Sequence, residues 1–254
     1  MIRAVIFDLD GTLVQTEKLK ALSYARAVQQ LLELPEPDPR AVEAYREVVG
    51  AAREIASQHV MERLGLEPAL RPLIARYGVS QPWEILTTMR TAIYNAMVAD
   101  PQVLRDNQWP HTVAFFHLVR QQGCQTALAT MSQRREALHV LQALGLEGEL
   151  DVVLTREDVQ HPKPDPEIYL TACRLLGVSP AECLAIEDSP AGVRAALAAG
   201  VETIAVATPF TRQGLQAAGL LPQGCIVEEP QMIVATVERC LQERNRTFGS
   251  AKEG

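Results

Sequence analysis

The sequence predicts an α/β fold, namely a Rossmann-like, doubly wound parallel sheet core with an all-helical cap domain inserted after the first strand. One observation is a short apolar run, Ala4–Phe7, which has the composition of a buried strand. A second is the helical periodicity of residues 15–104, which contain no convincing strand. The third is the regular alternation of strands and helices from about residue 109 onward, which is typical of a parallel sheet with helices on both faces.

The first strand needs partners outside the helical region that follows it. A single apolar strand cannot satisfy its backbone hydrogen bonds among helices, so Ala4–Phe7 is expected to join the sheet formed by later residues. The predicted core domain is therefore discontinuous, with residues 1–14 and 105–254, and the predicted cap domain comprises residues 15–104. The cap would then lie over the carboxyl ends of the strands, where ligands of such sheets bind.

The individual elements are predicted from periodicity and from the prolines and glycines between them. In the cap, helices are expected over residues 17–34, 40–64, 68–77 and 81–98, with Gly50 as a candidate interruption of the second. Core strands are expected over residues 125–130, 150–154, 183–187, 203–207 and 225–227. Core helices are expected over residues 112–121, 133–144, 165–176, 190–199, 213–218 and 230–242.

Composition narrows the class of protein. The chain has 254 residues, 47% of them hydrophobic, which suffices for one large domain or two smaller ones. A net charge of −7 argues against a nucleic-acid surface, and no stretch approaches the roughly 20 apolar residues that a membrane span needs. The 5 cysteines form no C-x-x-C pair and no targeting segment is recognised. We therefore expect reduced thiols in a cytoplasmic protein that is a monomer or a weak homodimer.

Two carboxylates directly follow the first strand. Asp8 and Asp10 are two residues apart, so in an extended backbone their side chains point to the same side. Carboxylates that close repel each other unless a cation or a proton lies between them. Gly11 then allows a sharp change of chain direction. This pattern indicates a metal-assisted nucleophile and its acid/base partner, and the alternative is a strand that ends in a polar turn.

Three other predicted strand ends carry polar residues. Thr130 and Ser132 stand at the start of a helix, where a hydroxyl and free N–H groups can bind an anion, although a plain helix cap would have the same residues. Lys163 lies between two prolines, as a phosphate-binding lysine or as a solvated loop lysine. Glu187 and Asp188 end a buried strand and offer the hard oxygen ligands that Mg²⁺ prefers.

Together the four segments resemble the motifs of the haloacid dehalogenase-like (HAD) hydrolase superfamily, in the same order along the chain. The resemblance extends to the helical insert and, within the superfamily, to the β-phosphoglucomutase-like phosphatases. It implies that Asp8 is the nucleophile and carries an aspartyl-phosphate, and that Asp10 protonates the leaving oxygen and then deprotonates water. It also implies that Thr130 and Lys163 hold the transferring phosphoryl group.

The resemblance implies a Mg²⁺ site as well. Asp8, the backbone carbonyl of Asp10 and Asp188 would be its ligands, with Glu187 binding directly or through water. Elementary electrostatics agrees, because several carboxylates and a phosphate in one cleft need both a divalent cation and a lysine.

The cap is expected to select the substrate. Arg53 resembles the cap-loop arginine that grips the distal part of a phosphosugar in this branch, and Ser132 is expected to bind substrate beside it. Arg134 is a third candidate, because a cation in the first turn of a helix opposes the helix dipole unless an anion is bound there. Arg90, one helical turn before Tyr94, could reach the same cleft, although helix charge pairing would explain it equally well.

Two departures from the branch bear on the reaction. Gln15 stands where the branch usually has Asp, and Lys20 stands at the spacing where its mutases carry a His. We therefore predict a Mg²⁺-dependent phosphatase, a phosphoric monoester hydrolase, that acts on a small phosphorylated metabolite, with a sugar phosphate as the expected substrate. The alternatives are a β-phosphoglucomutase-type mutase and, from another class, a non-catalytic protein that binds phosphorylated metabolites.

Overall fold

The structure, a computed structural model, describes the backbone of residues 1–250 and the side chains of residues 1–242. Its centre is a six-stranded sheet with the order β3-β2-β1-β4-β5-β6, in which all neighbours are parallel. The strands are β1 Ala4–Phe7, β2 Gln125–Ala129, β3 Val152–Leu154, β4 Cys183–Glu187, β5 Glu202–Val206 and β6 Ile226–Val227. The predicted Rossmann-like parallel sheet is confirmed, with β1 at its centre.

Strand β1 is buried on both faces because helices cover both sides of the sheet. Its side chains alternate: Val5 and Phe7 pack into one apolar cluster, and Ala4 and Ile6 into another on the opposite face. The covering helices are α8 Pro110–Gln121, α9 Arg134–Leu144, α10 Glu167–Leu176, α11 Pro190–Ala198, α12 Arg212–Ala218 and α13 Ile233–Ser250 when numbered after those of the insert. This burial explains the continuous apolar run of β1, which lacks the alternation of a one-sided strand.

Between β1 and α8 the described chain adds seven α-helices and no further strand of the sheet. They are α1 Thr16–Leu31, α2 Pro39–Arg46, α3 Arg53–Leu64, α4 Glu67–Leu70, α5 Ile74–Tyr77, α6 Pro82–Met97 and α7 Pro101–Asp106. They bury an apolar cluster of their own, in which Tyr24, Ile85 and Leu86 are central. The helical cap is therefore present. Helix α7 crosses the predicted domain boundary between residues 104 and 105, and the boundaries themselves stay predictions.

The helix predicted over residues 40–64 is two helices, α2 and α3, separated by a loop. Gly50 lies in this loop at φ +85°, a conformation that favours glycine. A Cβ at Gly50 would stand 2.1 Å from the Ser189 hydroxyl oxygen, so the missing side chain lets the cap loop approach the core. The interruption thus places the cap directly against the end of β4.

The polar segments follow neighbouring strands. Asp8 comes after β1, Thr130 after β2 and Asp188 after β4, and these three strands are adjacent in the sheet. Parallel strands end at the same edge, so the three residues meet there, beneath the cap. No helix in the described part of the chain combines the length and the hydropathy that a membrane crossing requires.

Candidate active site

Lys163 joins three of the strand ends, those of β1, β2 and β4. Its ammonium donates hydrogen bonds to Asp8 Oδ1 at 2.8 Å, to the Ala129 carbonyl oxygen at 2.8 Å and to Glu187 Oε1 at 2.5 Å. The Tyr169 hydroxyl donates to the same Glu187 oxygen at 2.6 Å. Only 1% of the Lys163 side chain is exposed, so this lysine is a buried counter-charge and the solvated-loop interpretation is wrong.

The charges around Lys163 shift its titration and that of Asp8. Burial by itself lowers the pKa of Lys163, but the adjacent Asp8 and Glu187 carboxylates outweigh burial and the net pKa is raised. For Asp8 burial is the largest influence, and against the opposing charge of Lys163 it raises the pKa of the carboxyl to about 8. One lysine therefore does not compensate the negative charge of the cluster, and a further cation would lower the pKa of Asp8.

Asp10 has a different environment. Its carboxylate forms an ion pair with Lys20 at 2.6 Å and accepts hydrogen bonds from the Ser132 hydroxyl at 2.5 Å and from the Thr16 hydroxyl. Burial raises the pKa of Asp10, but the Lys20 ammonium and the hydrogen bonds outweigh it, and the net pKa is lowered. The two carboxyls of the first motif are only two residues apart, but their pKa values are shifted in opposite directions: that of Asp8 is raised and that of Asp10 is lowered.

The segment after β2 lines the same cavity as Asp8 and Asp10. Thr130 is fully buried, and its hydroxyl oxygen accepts a hydrogen bond from the Ser132 N–H at 3.0 Å. The Ser132 hydroxyl also accepts a hydrogen bond from Lys20 at 3.0 Å while it donates to Asp10. Thr130 and Ser132 therefore line the same cavity as Asp8, and their part in binding an anion stays a prediction.

Asp188, in the fourth motif, lies next to Glu17, which was not among the site residues predicted from the sequence. Glu17, in the first turn of α1, is buried and directs its Oε1 to the same place as Asp188 Oδ2. Neither oxygen has a hydrogen-bond partner among the described residues. Burial raises the pKa of Glu17 to about 7, and burial together with Glu17 raises the pKa of Asp188 well above its usual range. Two orphaned, facing carboxylate oxygens require a proton or a cation between them.

These carboxylates fit a hard divalent cation. Asp8, Glu187 and Asp188 each offer one oxygen, and the three oxygens lie within 4.8 Å of one another. With the orphaned oxygen of Glu17 beside them, the donor set consists of carboxylates alone, which is the chemistry that Mg²⁺ prefers. The Glu187 carboxylate is already engaged by Lys163 and Tyr169, so it is suited to support the site from behind.

Gly11 makes this convergence possible, and its substitution is a sensitive test. It has φ +90°, and a Cβ there would stand 1.8 Å from Glu17 Oε1 and 2.0 Å from Asp188 Oδ2. We expect Gly11→Ala to displace both carboxylates and to lower kcat/KM by about 100-fold, the usual cost of a misplaced reacting group. Steady-state kinetics and thermal unfolding would measure the effect.

Gly65→Ala is the matched control for Gly11→Ala. Gly65 also has positive φ, +64°, but a Cβ there would meet nothing within 4 Å. This variant should lose about 1–3 kcal/mol of stability from backbone strain alone and keep its kcat/KM. Equal kinetic losses in the two variants would show that crowding at Gly11 is irrelevant to the site.

The cap closes the site from above. The catalytic cavity has a volume of about 40 Å³ and is lined by Asp8, Asp10, Thr130 and Ser132 from the core and by Arg53 and Arg90 from the cap. Arg53 forms an ion pair with Glu136 at 2.6 Å. Arg90 is only 4% exposed, and its Nε and one terminal nitrogen have no partner within the described chain. Its guanidinium lies 5.4 Å from the Tyr24 ring centroid and 6.0 Å from that of Tyr94.

A family model for haloacid dehalogenase-like hydrolases matches residues 2–200. The chain belongs to this family. It is 31% identical over 201 residues to a phosphorylated carbohydrates phosphatase of Thermotoga maritima, covering 79% of this chain and 83% of the relative. It is 29% identical over 222 residues to validoxylamine A 7'-phosphate phosphatase of Streptomyces hygroscopicus, covering 87% and 93%.

The fold is that of the β-phosphoglucomutase-type members of the family. The crystal structure of β-phosphoglucomutase from Clostridium difficile superimposes with a TM-score of 0.73 and 20% sequence identity, covering 98% of this chain and 99% of that one. With the curated relatives named above, the protein is a HAD-like phosphatase, that is, a phosphoric monoester hydrolase. The roles of its individual residues stay predictions.

In the HAD-like phosphatase, Arg134 lies outside the cleft. The Arg134 guanidinium donates to both Asp158 carboxylate oxygens at 2.5 Å on the protein surface, and its backbone N–H donates to Glu157. The anion that offsets a cation at this helix N-terminus is supplied by neighbouring acidic side chains of the protein itself. Arg134 therefore needs no bound substrate anion to offset its charge, and the prediction that it binds substrate loses its basis.

Two residues at the site of the HAD-like phosphatase, Glu17 and Glu136, were not predicted from the sequence. Glu17 could have been found from its place in the first turn of a helix that starts directly after the first motif, because such a turn faces the same edge of the sheet. Glu136, the partner of Arg53, is 83 residues away from it in sequence, and no local pattern joins the two. Lys20 was noted only as a departure from the branch, and its contact with Asp10 was not expected.

Proposed function

We propose that this phosphatase hydrolyses a phosphorylated carbohydrate with Mg²⁺ and through an aspartyl-phosphate on Asp8. The observation that carries the proposal is the buried cluster in which Lys163 contacts Asp8 while oxygens of Asp188 and Glu17 face each other without a partner. Such an arrangement is costly in an apoprotein, and it suits a protein that binds a cation and a phosphoryl group together.

Mg²⁺ would be held by Asp8, Asp188 and the backbone carbonyl of Asp10, with Glu187 behind them. When bound, it supplies positive charge that screens the phosphoryl oxygens from the carboxylates. This charge also lowers the pKa of Asp8 from its raised value, so that the nucleophile is ionised at neutral pH.

The remaining steps belong to the side chains. An Asp8 carboxylate oxygen attacks phosphorus, and the bond from phosphorus to the leaving oxygen breaks. Asp10 gives that oxygen the proton that it took from water in the preceding turnover, and is then ionised beside Lys20. Asp10 then takes a proton from water, whose oxygen attacks the aspartyl-phosphate and releases inorganic phosphate and Asp8. Thr130 and Lys163 hold the phosphoryl oxygens in both steps, and the closed cap excludes bulk water from the first.

The contact between Lys20 and Asp10 bears on the second step. An ionised Asp10 suits this step, in which it accepts a proton from water, and Lys20 favours that state. Hydrolysis is favoured over the mutase alternative because Lys20 stands where mutases of the branch carry a His. The non-catalytic alternative has no support from the family membership of the chain.

The expected substrate class rests on the cap and on the relatives. One relative is named for the removal of phosphate from phosphorylated carbohydrates, and another for its removal from validoxylamine A 7'-phosphate. Arg90 lines the cavity and has two buried nitrogens without a hydrogen-bond partner among the described residues, so it is a candidate donor for the oxygen atoms of such a molecule. We take a small phosphorylated metabolite of this kind as the partner.

Removal of the metal tests the proposal. We expect phosphate release from a panel of sugar monophosphates to fall to background after EDTA treatment and dialysis, and to return with added Mg²⁺. Calcium, which is larger and binds in a less regular geometry, should restore it poorly. Unchanged turnover after chelation would reject the metal, and no release from any monoester in Mg²⁺ would reject the function. Isomerisation of a sugar phosphate faster than its hydrolysis would favour the mutase.

A further inference from the structure

The orphaned carboxylate of Glu17 reaches the site from the side of the cap. Glu17 lies in the first turn of α1, the helix that follows β1, and only 2% of this residue is exposed. Its Oε1 lies beside Asp188 Oδ2, because a Cβ at Gly11 would stand 1.8 Å from the first oxygen and 2.0 Å from the second. Asp188 follows the core strand β4 and is 1% exposed. The two oxygens therefore meet where the cap and the core touch.

No side chain in the described part of the chain gives this pair of oxygens a positive partner. Neither Glu17 Oε1 nor Asp188 Oδ2 has a hydrogen-bond partner there. The lysines at the site, Lys163 and Lys20, form ion pairs with other carboxylates. A carboxylate oxygen of Asp8 lies within 4.8 Å of one of Asp188 and adds further negative charge. A proton shared by two carboxylates would leave this charge unbalanced, whereas a divalent cation balances it.

Helix α1 belongs to the cap by its packing and contacts the core by its first two turns. It packs against the cap helices α2 and α6. The hydroxyl of Thr16 donates to the Asp10 carboxylate, and the Lys20 ammonium lies 2.6 Å from Asp10 and 3.0 Å from the Ser132 hydroxyl oxygen. Glu17 lies between Thr16 and Lys20 on the same helix. A motion of the cap on the core therefore moves Glu17 relative to the strand ends.

We propose that Glu17 joins Asp188 in holding the divalent cation, so that the bound cation links the cap to the core. Mg²⁺ takes six oxygen ligands and keeps several waters, so Glu17 can replace one of these waters or accept a hydrogen bond from it. This inference rests on the proposed phosphatase function, and it adds to the site a residue that lies outside the four motifs.

Metal binding and cap closure are then coupled. The closed cap provides a carboxylate that an open cap withdraws, so the cation binds the closed form more tightly. The coupling is reciprocal, because the factor by which closure raises the affinity for the cation is also the factor by which the cation favours the closed form. The loss of a supporting carboxylate at a metal site weakens metal affinity by about 10–100-fold, so we expect a factor of about ten here.

Glu17→Gln tests the contact with the cation. The amide has the size of the carboxylate and removes a buried negative charge, so in EDTA the variant should unfold at no lower temperature than the wild type. Its Kd for Mg²⁺, measured by isothermal titration calorimetry, should be about tenfold higher than that of the wild type. Glu62→Gln, at an exposed position of α3 that does not line the catalytic cavity, is the matched control and should keep the wild-type Kd. The same Kd in both variants would overturn the inference.

Hydrogen exchange tests the coupling at a contact between cap and core that does not line the catalytic cavity. Phe210, in the core loop after β5, packs against the apolar cluster of the cap, and the Arg46 guanidinium lies 4.8 Å from its ring centroid. In the wild type, saturating Mg²⁺ should slow amide exchange in residues 39–52 and 208–211 by up to about tenfold, the factor expected for the closed form. Glu17→Gln, saturated with Mg²⁺, should lack this protection. Equal protection in the two proteins, or none in the wild type, would contradict the coupling.

The wild-type protein separates this inference from the proposed function. If it binds Mg²⁺ and hydrolyses p-nitrophenyl phosphate, while Glu17→Gln has the wild-type Kd for Mg²⁺ and the wild-type protection, the function stands and the role of Glu17 does not. If the wild-type protein neither binds Mg²⁺ nor releases phosphate from p-nitrophenyl phosphate or any sugar phosphate, the function itself is rejected.

Discussion

Asp8→Asn is expected to abolish turnover while the protein stays folded. The amide has the shape of the carboxylate and keeps an oxygen that can accept the hydrogen bond from Lys163, which Asp8 Oδ1 now accepts at 2.8 Å. It cannot attack phosphorus, so kcat should fall by at least about 10⁴-fold, as it does when other enzymes lose a covalent nucleophile. Phosphate release under single-turnover conditions would measure the loss.

The folded state of Asp8→Asn should be as stable as that of the wild type or more so. Burial raises the pKa of Asp8 to about 8, which means that the ionised carboxylate is disfavoured in the folded protein. The neutral amide removes this penalty at neutral pH. Asp106→Asn, at an exposed position at the end of α7, is the control and should keep both activity and stability. An Asp8→Asn protein that retained a tenth of the wild-type rate would exclude Asp8 as the nucleophile.

Lys163→Met is the second change with a large expected effect, because it removes the counter-charge of a buried cluster. The methionine side chain fills similar space but leaves Asp8 and Glu187 without their shared ammonium partner. Breaking a buried ion pair in this way costs about 3–5 kcal/mol. We expect a loss of that size in the free energy of unfolding in urea at pH 8, together with a loss of detectable turnover.

The loss in Lys163→Met should depend on pH and on metal. A carboxyl whose folded-state pKa is raised binds more protons folded than unfolded, so it destabilises the protein progressively as pH rises from its usual pKa to the raised one. For wild-type Asp8 these values are 3.8 and about 8, and removal of the lysine extends the range upward. The variant should therefore be closest to the wild type below pH 4. At pH 8, added Mg²⁺ should restore part of its stability.

Lys18→Met is the control for this variant. Lys18 is in helix α1 near the first motif, but its side chain is exposed and it does not line the cavity that Asp8 lines. Its replacement should change the free energy of unfolding by less than about 0.5 kcal/mol. If Lys163→Met behaves like Lys18→Met in urea, the buried ion pairs contribute nothing to stability.

The sheet and the strand-end residues could be predicted because both depend on local pattern. A run such as Ala4–Phe7 can be buried on two faces only in a sheet covered on both sides, and Asp8 follows it with no intervening residue. Strand ends of a parallel sheet meet at one edge whatever the details of the loops. For this reason Thr130, Lys163 and Asp188 reach Asp8 in the structure as their places in the sequence predicted.

The surroundings of the cap residues could not be predicted, because they depend on how two separate helical surfaces meet. Arg53 and Glu136 are 83 residues apart in sequence, and only the docking of α3 against α9 pairs them. Arg134, two positions before Glu136, points to the surface instead, where Asp158 binds it. Two arginines that look alike in sequence thus have different surroundings, which are fixed by tertiary contacts.

The central position of β1 has a consequence for how the chain is made. Ala4 pairs with Gln125 on one side and with Cys183 on the other, so both neighbours of the first strand are synthesised long after it. Until then the ribosome carries an apolar segment with unpaired backbone groups, while the helices of the insert can already assemble beside it. Such distant pairings fold slowly and expose the nascent chain to aggregation. The strand that ends at Asp8 is therefore translated long before the two strands that secure it in the sheet.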